Sequence, residues 1–153
     1  MLILLCVSGT SCFAQNHYTK ARPILAEKKT AVKGRSDCFR LSASQNYDSV
    51  LLGCWFWPHN APGSITFNKD HTFAIGDCGT EVNELTNKGV YTLKGADGWL
   101  IFKDGQKEQF HIVLQKLKEK INTLNANNQF ETADWRYMLA WETQPGYSNY
   151  LIP

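Results

Sequence analysis

Outside the N-terminal region, the side chains that could ligate a metal or form a nucleophile–base pair are His59, His71, His111, Cys54 and Cys78. Their spacing favours neither chemistry. None forms the Cys-x-x-Cys or His-x-x-x-His pair that brings two ligands onto one turn of backbone. His59 follows Pro58 in a loop and His71 falls in a predicted turn, both solvent-facing positions. No serine sits in a nucleophile elbow, no glycine-rich loop opens a helix to cradle phosphate, and no zinc-protease helix is present. Asp70, Asp77, Asp97 and Asp104 fall in turns, where a carboxylate serves its own backbone. The expectation is a protein that is not an enzyme, with no metal and no cofactor. What remains is aromatic surface: Trp57, Tyr91, Trp99, Phe110, Tyr137 and Trp141 could line an apolar pocket for a small ligand. The competing reading is that these rings simply fill a core.

The elements that would position those rings read as strands. Val50–Trp57 is a β-prone apolar run closed by Pro58. Ser64–Phe67 and Thr72–Ile75 alternate on either side of Asn68-Lys69-Asp70-His71, a hairpin signal. A second hairpin joins Gly89–Leu93 to Trp99–Phe102 through Lys94–Gly98. Gln109–Leu117 follows, with Phe110, Ile112 and Leu114 on one face. Lys118-Glu119-Lys120 is read as a turn into Ile121–Asn125. Asp134–Trp141 then sets Trp135, Tyr137, Leu139 and Trp141 on a single face. About eight short strands joined by tight turns, with no substantial helix between them, argue an all-β sandwich or an antiparallel up-and-down barrel.

The ends of the chain have a different texture. Residues 1–15, MLILLCVSGTSCFAQ, carry no charge and combine a short apolar core with small residues at Cys12 and Ala14, the pattern of a cleaved export signal. Gly9-Thr10-Ser11-Cys12 supports a rival reading, a lipoprotein acylated on Cys12. Residues 16–48 lack clear periodicity, and the stretch 16–40 holds seven Lys and Arg against Glu27 and Asp37. They read as a basic tail and linker, with a helical turn near Ser42–Asp48. The rest of the chain is mildly acidic, and a net charge of +2 gives no reason to expect a nucleic-acid partner. Residues 144–153 read as a C-terminal tail. No later apolar run reaches the roughly twenty residues of a transmembrane helix.

Export would place Cys38, Cys54 and Cys78 in an oxidising compartment. Cys54–Cys78 is the preferred bridge, because both flank predicted strands while Cys38 lies in the basic segment. Spacing leaves the other pairings, and three free thiols, open.

Gly53-Cys54-Trp55 is a Gly-x-Trp at the start of the first domain strand. It resembles the opening motif of lipocalins and of bacterial lipocalin-like domains. Ile65–Phe73 is similar to that family's second hairpin, with His71 where glycine is usual, and Gly89-x-Tyr91-x-Leu93 followed by Trp99–Gly105 is similar to its central hairpins. The resemblance covers roughly residues 49–142. It implies an eight-stranded barrel over 49–143 whose closed end is plugged by Trp55, with Gly53 allowing close approach of a neighbouring chain. It also implies a last-strand arginine, Arg136, packed over the tryptophan. The Thr-Asp-Tyr corner of true lipocalins is absent, which favours the looser lipocalin-like group.

The function expected on these grounds is binding of a small hydrophobic or amphipathic ligand in the barrel by a secreted or periplasmic bacterial protein. The alternative is a filled barrel serving as a cell-envelope structural or protein-interaction module.

Overall fold

The computed structural model describes residues 18–19, 31–32, 35–57, 63–76, 88–124, 129–144 and 147–152. The alternating runs form one antiparallel sheet. Before the meander come β1 (Tyr18–Thr19), β2 (Ala31–Val32), β3 (Arg35–Arg40) and a single helical turn, α1 (Asp48–Leu51). The meander consists of β4 (Gly53–Phe56), β5 (Ser64–Phe67), β6 (Thr72–Gly76), β7 (Lys88–Lys94), β8 (Asp97–Phe102), β9 (Lys107–Leu124) and β10 (Phe130–Gln144), each paired with the next. β11 (Tyr147–Leu151) pairs with β10. The all-β expectation holds.

The two long strands act as the spine. One edge of β9 is shared between β8, along 107–111, and β3, along 113–115. One edge of β10 is shared between β1, at 135–136, and β11, from 139 onward. The sheet curls so far that Ile152, just beyond β11, meets Phe56 on β4. The two residues exchange backbone hydrogen bonds of 2.6 and 2.8 Å.

Several segments differ from expectation. The stretch read as a basic tail supplies three strands, and Cys38, Leu41 and Tyr47 within it are buried. Six residues of β3 are too few, and too polar, to show a two-residue period; pairing with β9 supplies the order instead. The C-terminal stretch likewise contributes β11. Lys118-Glu119-Lys120 does not turn the chain. β9 runs through it, with residues 117–120 accommodated between the Trp135–Lys116 and Ala133–Ile121 pairs as a large irregularity opposite Asp134. The hairpin after β7 is tighter than predicted: Lys94 pairs with Asp97 and Gly95-Ala96 makes the turn. The expected export signal, residues 1–15, lies outside the described residues.

Alternation along the strands separates two faces. The inward face carries the main core, including Trp55, Ile65, Phe67, Phe73, Leu100 and Phe110, joined by Tyr47, just before α1, and Leu51 within it. A smaller cluster on the opposite face joins Cys38, Val113, Met138 and Ala140, with Ile152 against it.

Candidate functional site

Gly53 has φ = 101°, a conformation that side chains disfavour and glycine adopts freely. It turns the chain from α1 into β4 so that Trp55 enters the core with no exposed surface. The Trp55 indole N–H donates to the Leu51 carbonyl at 2.7 Å, which satisfies a polar atom that burial would otherwise strand.

The hairpin between β5 and β6 places its one unusual residue at His71, whose φ is 61°. A non-glycine residue there carries a conformational cost, and the surroundings hold it in place. His71 N–H donates to the Asn68 carbonyl at 3.1 Å, and the Tyr91 N–H donates to the His71 carbonyl at 2.9 Å. The Tyr91 hydroxyl also donates to the Asn68 carbonyl, at 3.0 Å. Asp70 accepts from the backbone and hydroxyl of Thr72, and these bonds lower its carboxyl pKa. These turn groups are engaged with their own loop.

Of the six aromatic residues expected to line a pocket, five face inward and one does not. Phe110 is fully buried, and its ring packs against Phe67. Tyr91 meets Phe67 edge-on, and burial raises its phenol pKa. Tyr137 meets Tyr47 edge-on, again with its pKa raised by burial. Trp57 and Trp141 stack with centroids 5.3 Å apart, and the Trp141 N–H donates to Glu108 at 2.6 Å. Trp99 is the correction. It alternates with the buried Gly98 and Leu100, so it faces outward and is 44% exposed.

Arg136 is a second correction. It shares a face with Met138 and Ala140, opposite to Trp135, Tyr137, Leu139 and Trp141, and donates from Nε to Gln115 at 2.7 Å. It therefore does not pack over Trp55. Gln115 donates in turn to Asp37, and Asp37 accepts from Arg35 at 3.1 and 3.3 Å. The Arg35 hydrogen bonds hold the Asp37 carboxyl well below the usual carboxylate range. Cys38 lies beside this chain of polar groups, a free and buried cysteine whose thiol is pushed up to about 11 by burial. Sequence reasoning missed the network because Arg35, Asp37 and Cys38 come from β3, a segment that shows no strand periodicity and reads as a tail.

Cys54 is disulfide-bonded, and Thr66 Oγ1 lies 3.4 Å from its sulfur. Its expected partner, Cys78, lies outside the described residues, as does His59. His111 pairs with Asp97 across β8 and β9 at 2.6 Å. Among the described residues, no group of three or more His, Cys, Asp or Glu side chains could hold a metal ion. No helix among them is long and apolar enough to cross a membrane.

A concavity of about 540 Å³ formed by described residues lies over β6, β7 and β8. Thr72, Val90 and Ile101 stand side by side across it in register. They alternate with the inward Phe73, Gly89 and Phe102, so the depression opens on the outward face. Val90 is 48% exposed there. Lys88 and Lys103 also line it. The alternation within each run gave no reason to join these three positions across strands. Outward Val90 and Ile101 in neighbouring strands were the available signal. No protein-family model, curated protein or solved structure matches the chain.

Proposed function

We propose that this chain is an exported, lipocalin-like β-barrel with a packed interior, a non-enzymatic binding module that meets its partners on the outer surface. The observation that carries this reading is the fate of the inward aromatic rings. Tyr91 and Phe110 each pack on Phe67, Tyr137 on Tyr47, and Trp57 on Trp141. Interiors at organic-crystal density leave no room for a ligand without displacing side chains, and an eight-stranded barrel is just wide enough to be filled by its own residues. Barrel closure is supported by the paired hydrogen bonds between Phe56 and Ile152. Export is supported by the leader pattern of residues 1–15 and by a disulfide at Cys54.

Xenon tests the interior, because it enters dry apolar cavities. In methyl-resolved NMR under xenon pressure, Leu100, Leu114 and Leu139 are expected to keep their shifts. Saturable shifts at these methyls would overturn the packed interior and restore a ligand site within the barrel. The intact mass of protein made in an exporting host tests the leader, with a mature chain beginning at Gln15 or Asn16 expected. A mass retaining residues 1–14 would overturn export by cleavage, and an acyl increment on Cys12 would replace it with a lipid anchor.

A further inference from the structure

We infer that the outward depression over β6–β8 is a binding site for a single-chain anionic amphiphile, such as a medium-chain carboxylate taken up as a free monomer. The inference rests on the packed-interior reading in one respect, that the ligand sits outside the barrel.

The floor is apolar and built by register. Thr72 pairs with Val90, and Val90 with Ile101, so three outward side chains from three strands lie in one row. Ala74, in the adjacent row opposite Lys88, is small and leaves the floor low. Trp99 continues the apolar stripe along β8, two residues from Ile101 on the same face. A volume of about 540 Å³ falls within the range of roughly 300–1,000 Å³ typical of small-molecule sites. Burial of hydrocarbon there strengthens binding about three- to fourfold per methylene.

The rim sets the sign of the head group. Lys88 and Lys103 line the depression, and Lys107 stands directly opposite Ile101 on β9. None of the three is in an ion pair among the described residues. The carboxylates that flank Lys103 and Lys107 in sequence, Asp104 and Glu108, are otherwise engaged. Asp104 accepts the Gln106 N–H at 2.9 Å, while Glu108 accepts from Trp141 and from the Gln106 side chain, each at 2.6 Å. A cationic rim that makes no ion pair among the described residues, beside an exposed apolar floor, complements a ligand with a hydrocarbon chain and one anionic end. A cationic head would be repelled by the rim, and a neutral one would forgo its charge attraction.

The test is calorimetric titration of the full chain with dodecanoate and with dodecyltrimethylammonium, each below its micelle-forming concentration. Dodecanoate is expected to bind one to one, at least tenfold more tightly than the cation, and to shift the Val90 and Ile101 methyls. Val90→Glu should weaken dodecanoate at least tenfold. The double variant Lys88→Glu/Lys103→Glu should weaken it about tenfold while unfolding at the wild-type midpoint, since both substitutions lie on the surface. Failure of folded wild-type protein to bind dodecanoate overturns this site and leaves the packed interior standing. Binding undiminished in both variants, with shifts at Leu100 and Leu139, overturns both readings. Association with anionic phospholipid vesicles but not with the monomer overturns the proposed ligand in favour of a membrane surface.

Discussion

The ring of Phe110 lies directly over Gly98 on the neighbouring strand. The two residues pair in register across β8 and β9, and a Cβ placed on Gly98 would sit 2.1 Å from Cζ of that ring. Phe110 is fully buried against Phe67, so it has no free space to yield. Gly98→Ala is therefore expected to destabilise the fold by about 1–3 kcal/mol through overpacking. Urea unfolding measures it, and a midpoint equal to wild type would show that the ring can move aside.

The Phe56–Ile152 pair joins the first strand of the meander to the end of the chain. Ile152→Pro removes the N–H that donates to the Phe56 carbonyl and disturbs packing against the cluster that holds Met138 and Ala140. A loss of about 1–3 kcal/mol is expected, since a polar group is left without its partner. Amide exchange provides the second readout: Phe56 N–H should be protected in wild type and exposed in the variant. Rapid exchange of Phe56 in wild type would mean that the two strand ends do not stay joined in solution.

Asp37 ties the polar network to acid stability. Its folded pKa is depressed below the ordinary value of 3.8, chiefly by its hydrogen bonds to Arg35, with Gln115 adding to the effect. The depression means that its contribution is complete above about pH 4 and is lost as pH falls toward the folded value. Wild-type urea midpoints should therefore fall more steeply below pH 4 than those of Asp37→Asn. The side chain is partly exposed, so added salt should reduce the difference. Parallel acid limbs for the two proteins would remove Asp37 from the acid response.

Cys38 has the opposite sign. Burial favours the neutral thiol and pushes its pKa up to about 11, against 9.0 for an ordinary cysteine. Stability is unaffected below about pH 9 and declines between there and pH 11, because the unfolded thiol ionises first. An aromatic disulfide reagent at pH 8 should label Cys38 only at the rate of global unfolding, because the thiolate is the reactive form and this thiol is inaccessible. Much faster labelling would reveal local opening of β3 from β9.

The meander was legible because its signal is local. Ser64–Phe67, Thr72–Ile75, Gly89–Leu93 and Trp99–Phe102 each alternate over at least four residues between turn formers, and each is a strand. The face holding Trp135, Tyr137, Leu139 and Trp141 could be read in the same way. Gly53 could be singled out by its motif, and its φ of 101° supplies the physical reason for glycine there. Arg136 could not be placed correctly by analogy. Its alternation with Trp135 and Tyr137 puts it on the other face, where Gln115 receives it.

The sequence by itself determined an all-β chain, the Asn68–His71 turn and the inward aromatic face of β10, because turn chemistry and two-residue alternation act between near neighbours. Only the tertiary structure decided how the rings are used, where the N-terminal strands dock, and that Thr72, Val90 and Ile101 form one outward row. Those outcomes depend on the register between paired strands, which neighbours within one strand do not fix. A shift of one residue would exchange the inward and outward faces of a strand. No local pattern around Val90 or Arg35 specifies the partner across the ladder; the curl of the whole sheet does.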